Sequence, residues 1–173
     1  QHKLEIENSL KDGKTLLYIA YDGKLLGTIG LSDELRHNAK KSISDLRKLG
    51  VKNIVMLTGD TKEKAQTIAN ELGIDDVKAE LLPQDKAKII KELMLQGKKV
   101  AFIGDGINDA PALISAHVGI SMSRGADIAK ATADISLLKD DISCVVEAKE
   151  YANKTMDLIN TNFNATVGIN SGI

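Results

Sequence analysis

The segment Phe102–Leu113, FIGDGINDAPAL, runs an apolar stretch into a glycine-flanked turn that gathers Asp105, Asn108 and Asp109 within five positions. Two carboxylates and an amide so close together suit a hard cation. Magnesium in particular takes one or two carboxylates and completes its shell with waters and substrate phosphate oxygens. The competing reading is an Asx-turn running into a helix N-cap. A second turn, Thr58-Gly59-Asp60, also follows an apolar run. A hydroxyl and free backbone N–H groups ahead of a helix N-terminus bind an anion, unless Thr58 or Asp60 simply caps that helix. Lys86 follows Pro83-Gln84-Asp85 at the start of a further helix. It is either a solvated helix lysine or a charge aimed at a phosphate. An anion turn, a lysine and a magnesium turn are the equipment of phosphoryl transfer without its nucleophile. An attacking Asp has to leave the end of another apolar strand. Asp12-Gly13-Lys14-Thr15 follows a polar stretch, and Asp60-Thr61-Lys62 belongs to the second turn, so neither fits.

These turns need elements that bring them together. Residues 15 to 31, TLLYIAYDGKLLGTIGL, predict a hairpin around Asp22-Gly23. Leu35, Ala39, Ile43, Leu46 and Leu49 recur on one helical face that stops at Gly50. NIVML (53–57) predicts a buried parallel strand. Ala65, Ile68, Ala69 and Leu72 mark a helix over 61–72 that ends at Gly73. A short strand near Val77 leads to Pro83, well placed in the first turn of a helix reaching about Gln96. KVAFI (99–103) is the next buried strand. After it come a helix over 109–116, the strand VGISM, a small helix near Gly125, the run ADISLL, and a long helix from Asp141 toward Phe163. Alternating strands and helices predict an α/β fold with a parallel sheet covered on both faces. Ligands in such sheets bind at the carboxyl ends of the strands, so the Thr58 and Asp105 turns should share one edge.

Composition narrows the function classes. Hydrophobic residues make up 43% of the 173, enough for one domain with its own core and part of a second. The net charge of −1, the absence of Trp and the lack of a basic patch argue against a nucleic-acid partner. Cys144 is the sole cysteine, so no internal disulfide or paired-cysteine metal site is available. It reads as a small buried hydrophobe. His2, His37 and His117 lack ligand spacing, and Asp75-Asp76 and Asp140-Asp141 read as caps and dipole partners at element starts. No run of 18 apolar residues spans a bilayer, and the first residues do not resemble a signal peptide.

MLTGD (56–60), LPQDKAKIIKEL (82–93) and GDGINDAPAL (104–113) resemble, in order, hallmark segments of the haloacid-dehalogenase superfamily, and within it of the heavy-metal-transporting P-type ATPases. GTIGLSDELR (27–36) resembles the junction where that family's nucleotide-binding domain returns to its phosphorylation domain. The resemblance covers nearly the whole chain. It implies a Rossmann-like sheet flanked by helices and preceded by a hairpin, with three parts. Residues 1–31 would be the last hairpin of the nucleotide-binding domain, 32–150 the C-terminal part of the phosphorylation domain, and 151–173 a helix leading toward a membrane segment. It further implies that Thr58, Gly59 and Asp60 surround an aspartyl phosphate and that Lys86 contacts it. Asp105 and Asp109 would bind Mg2+ with Asn108 in support. Asp33 and Arg36 would lie at the interdomain hinge on the side of the cofactor ATP. The phosphorylated Asp of the family lies in an Asp-Lys-Thr-Gly-Thr segment, which this sequence does not contain. The resemblance therefore implies part of an ATP-driven cation pump on the cytoplasmic face of a membrane, its partners being ATP, a transported metal cation and a membrane-embedded domain. The alternatives are a soluble phosphatase of the same superfamily, which needs an Asp-x-Asp pair at a first-strand end, and a non-catalytic module that kept the fold.

Overall fold

The computed structural model describes residues 15–21, 24–31, 38–104, 107–122 and 127–171. Asp33, Arg36 and Asp105 lie outside the described residues, as do Gly106, His2, His37, Asp12, Gly125 and the Asp22-Gly23 turn.

Strand β1 (Thr15–Tyr21) and β2 (Lys24–Leu31) form an antiparallel hairpin with an irregularity between Ile19 and Ala20. Helix α1 (Ala39–Lys48) buries Ala39, Ser42, Ile43 and Leu46, the face that the periodicity marks. Strand β3 (Val55–Leu57) follows, then α2 (Lys62–Leu72), which ends at Gly73 in the left-handed conformation (φ 72°). Strand β4 (Asp76–Lys78) pairs parallel to β3. Helix α3 (Pro83–Leu95) starts on proline, whose missing N–H costs a first turn nothing. Strand β5 (Ala101–Gly104) leads through a 3-10 turn (Ile107–Asp109) into the short α4 (Ala110–Ser115). Strand β6 (Val118–Ser121), α5 (Asp127–Thr132), β7 (Ile135–Ser136) and the 29-residue α6 (Ser143–Ser171) complete the order.

All pairing beyond the hairpin is parallel. It falls into two groups, β3 with β4, and β5 with β6 and β7. Between them, among the described residues, no ladder joins β3 to β5. The core is centred on β6, where Gly119, Ile120 and Ser121 are buried. Leu46, Ile120, Met122, Leu137 and Val145 form one apolar cluster, with Ile54, Ile103 and Val118 packed against it. Sheet and flanking helices together give the expected α/β architecture.

Several strand limits differ from expectation for identifiable reasons. Strand β3 begins two residues later than the apolar run, because the Ile54 N–H is directed to the Asp75 carboxylate at 3.5 Å. Strand β5 begins at Ala101 because the Val100 N–H bonds Nδ1 of His117 at 3.2 Å. Asp75 and Asp76 are not helix caps as expected. Asp75 pairs with Arg47 at 2.8 Å, which draws its carboxyl below the usual carboxylate range, and Asp76 lies in β4 beside Lys78. Asp141 does act at an element start, accepting the Ser143 N–H at 2.8 Å ahead of α6.

Candidate phosphate and magnesium site

The carboxyl ends of three strands meet in one recess. Leu57 closes β3, Gly104 closes β5, and Met122 follows β6. Together with Phe102, Ile103, Lys86 and Asp109 they line a space of about 210 Å3. The residues before the two acidic turns thus share one edge of the sheet, as the alternation of elements requires.

At the recess, Lys86 Nζ donates to Asp109 Oδ1 at 2.7 Å. Local structure explains how each arrives. Helix α3 is started by a reciprocal cap in which the Leu82 N–H bonds the Asp85 carboxylate at 2.9 Å and the Asp85 N–H bonds the Leu82 carbonyl at 3.0 Å. That fixes the first turn, and Lys86 is its fourth residue. Asp109 occupies the N-cap position of α4, yet its side chain makes no capping hydrogen bond there. Its carboxylate turns to the lysine instead, so a simple cap does not describe it. The pair is largely withdrawn from water, with side-chain exposures of 18% for Lys86 and 10% for Asp109. A charge-assisted bond in such surroundings is stronger and more directional than on an open surface. Asn108, next to it in the 3-10 turn, is exposed.

Gly104 makes this approach possible. A Cβ there would lie 2.8 Å from Asp109 Cβ, 2.9 Å from Asp109 Oδ2 and 2.9 Å from the Phe102 ring. Only a residue without a side chain lets the strand end pass beside Asp109.

The Thr58-Gly59-Asp60 turn is held tightly by its own atoms. Thr58 Oγ1 donates to Asp60 Oδ2 at 3.0 Å and accepts the Asp60 N–H at 3.1 Å. Asp60 also faces Lys64 Nζ at 3.5 Å. Capping of α2 falls to Thr61, whose hydroxyl accepts the Lys64 N–H. Thr58 and Asp60 are therefore not the helix cap. Gly59 lies close under the next loop, where a Cβ would come within 3.3 Å of the Leu81 carbonyl oxygen. The left-handed backbone at Glu80 (φ 57°) carries no signal in the sequence, since glutamate rarely takes that conformation.

Among the described residues the recess offers one carboxylate, that of Asp109, as a cation ligand. No group of three or more His, Cys, Asp or Glu forms a closed cage among the described residues. A largely buried carboxylate beside a strand end, with room for further oxygens, is what an ion completed by a phosphate needs.

Comparison with known proteins agrees with this architecture. Residues 2–117 match the family model described as haloacid dehalogenase-like hydrolase. A manganese-exporting P-type ATPase of Mycobacterium bovis is 41% identical over 167 residues, covering 96% of this chain and 23% of the relative. A probable cadmium-transporting ATPase of Staphylococcus aureus is 43% identical over 171 residues, covering 96% of this chain and 24% of the relative. The crystal structure of a zinc-transporting PIB-type ATPase in its E2.Pi state superposes with a TM-score of 0.79 at 41% identity, over 92% of this chain and 26% of that one. The chain thus spans about a quarter of the length of the heavy-metal P-type ATPases it matches. By these matches and by its parallel α/β sheet, the chain belongs to the haloacid dehalogenase-like hydrolase family.

Proposed function

We propose that this chain is the phosphate- and magnesium-handling part of the phosphorylation domain of an ATP-driven heavy-metal cation pump. The observation that carries the reading is the Lys86–Asp109 pair, 2.7 Å apart, in a recess formed by the carboxyl ends of three parallel strands. A lysine and a carboxylate held together there prepare a site for a phosphoryl group and a divalent cation. The pump reading also draws support from relatives named as manganese, cadmium and zinc transporters.

In this reading Lys86 is oriented by Asp109 and turns its charge toward an aspartyl phosphate. Thr58 and Gly59 border that phosphate with hydroxyl and backbone N–H, while Asp60 fixes the Thr58 rotamer through their mutual hydrogen bonds. Asp109 and Asp105 are the ligands proposed for Mg2+, with Asn108 in support. When bound, the ion offsets charge on the transferring phosphoryl group. The phosphorylated Asp comes from an Asp-Lys-Thr-Gly-Thr segment outside these 173 residues, entering between β3 and β5. Asp33 and Arg36 stand at the hinge toward the ATP-binding domain, and 1–31, 32–150 and 151–173 keep the division given by the resemblance. The parent protein is membrane-embedded, with this part on the cytoplasmic face, and moves a metal cation.

The test is phosphoenzyme formation from radiolabelled ATP in the full-length protein. Lys86→Met should lower turnover by about 100-fold or more, the scale for losing a preorganised charge at the reacting group. Asp109→Asn should shift the magnesium dependence upward. Wild-type turnover and magnesium dependence in both variants overturns the reading.

A further inference from the structure

Glu80 adopts φ 57°, the only positive φ outside glycine among the described residues. The left-handed region disfavours any residue with a Cβ, so something else must offset the strain. The Glu80 side chain is exposed and supplies no obvious compensation. The compensation lies in the backbone. Glu80 donates its N–H to the Asp60 carbonyl at 2.9 Å, and Leu81 donates to the Thr58 carbonyl at 3.0 Å. From the other side, the Thr58 N–H bonds the Lys78 carbonyl at 3.0 Å. The bend at Glu80 therefore grips the Thr58–Asp60 turn at both of its ends. Two residues later the chain enters the Leu82–Asp85 cap of α3, the helix that carries Lys86.

One peptide bend thus joins the two parts of the recess that lie on separate elements. Were residue 80 in the α or β region, the 80–81 peptide would rotate. With the Glu80 N–H still on the Asp60 carbonyl, the Leu81 N–H would leave the Thr58 carbonyl, and the turn and the helix would lose their common reference. We propose that Glu80 is a positioning residue, whose left-handed backbone sets the Thr58–Asp60 turn against Lys86 and so sets the geometry of the phosphate edge. The proposal rests on the phosphoryl-transfer reading above. It attributes nothing to the glutamate charge.

The experiment uses the full-length protein and orthovanadate, a mimic of the transferring phosphoryl group that reports transition-state geometry. Vanadate inhibition of turnover, the KM for ATP and the melting temperature are measured for Glu80→Gly, Glu80→Asn, Glu80→Gln, Glu80→Ala and Glu80→Val. Gly and Asn accept the left-handed region and should keep the vanadate affinity, and Gln should match wild type. Ala, which carries the same Cβ as Glu and Gln, should match them, whereas β-branched Val should weaken it by about three-fold or more, because branching at Cβ resists that region further. The KM for ATP should stay constant across the series. Should the Val variant fail to fold, Glu80→Thr, also β-branched and smaller, decides the matter against Gly. Equal vanadate affinity in the β-branched and Gly variants, with vanadate-sensitive wild-type turnover, overturns the role of Glu80 and leaves the phosphoryl-transfer reading standing. Vanadate-insensitive wild-type turnover overturns the phosphoryl-transfer reading, and this proposal with it.

Discussion

Gly104 is where sequence and chemistry constrain each other most directly. The neighbouring glycines of GDGINDAP read as room for a turn, but the structure gives Gly104 a different task. It lies in a strand, and its missing side chain is what admits Asp109. An alanine there would push on Asp109 Cβ, an atom anchored by the 3-10 turn, and on the Phe102 ring, neither of which is a flexible chain end. Gly104→Ala should therefore destabilise the chain by about 1–3 kcal/mol, the usual range for overpacking. In the full-length protein it should also separate Asp109 from Lys86 and depress turnover more than the melting temperature alone would. Thermal melts of the 173-residue chain beside turnover of the intact protein check both halves. At this scale the sequence shows the residue types and their shared edge, because strand ends announce themselves through apolar runs. It does not show that Asp109 points to Lys86 in place of capping its own helix, since both uses fit the same N-cap position. Nor does it show the bend at Glu80, since glutamate carries no turn signal.

Among the elements, helices were the more legible. The faces of α1 and α2 follow from Ile43 and Leu46, and from Ala65 and Ala69, because a 3.6-residue period leaves little ambiguity. Strand limits moved because side chains, Asp75 and His117, take up the N–H groups at their starts. The pattern predicts a helix from Asp141 toward Phe163, the resemblance implies a helix over 151–173, and α6 runs to Ser171. Only its beginning is anchored, through buried Val145 and through Asn153, whose Nδ2 donates to the Leu49 carbonyl at 3.2 Å. Beyond it, Met156, Leu158, Ile159, Phe163, Val167 and Ile169 are exposed. No helix among the described residues is long and apolar enough to cross a membrane. A stretch of this length without tertiary packing is marginal in water. Cutting the chain after Lys154 should therefore change its melting temperature by less than about 2 °C, because the removed residues contribute little packing. Hydrogen exchange should show slow amides in 146–153 and fast ones beyond 158. A large drop in melting temperature on truncation would mean that the exposed apolar side chains find a surface to cover.

At the scale of the whole molecule, the parallel strands among the described residues fall into two groups. Strand β6, paired on both sides, is almost wholly buried, whereas every residue of β3 is only half-buried and β5 begins with exposed Ala101. A central strand of a doubly covered parallel sheet is normally buried on both faces, so β3 and β5 have the exposure of strands next to a gap. The recess lies at the end of that gap, lined by Leu57 from one side and by Phe102, Ile103 and Gly104 from the other. Under the proposed function, the segment carrying the phosphorylated Asp fills the gap as a further parallel strand and delivers its carboxylate to Lys86 and Asp109. The arrangement predicts a pattern of amide exchange that a closed sheet would not give. In the 173-residue chain, β3 and β5 amides bonded to β4 and β6 should exchange slowly, while those turned to the gap should exchange faster by about 100-fold or more, the span expected between locally open and laddered amides. In the full-length protein the second set should become protected as well, and the two sets should converge. The same chain on its own should incorporate no label from ATP, since its recess holds the supporting charges without the attacking carboxylate. Uniform protection of both sets in the 173-residue chain would mean that β3 and β5 close on each other and leave no place for the nucleophile.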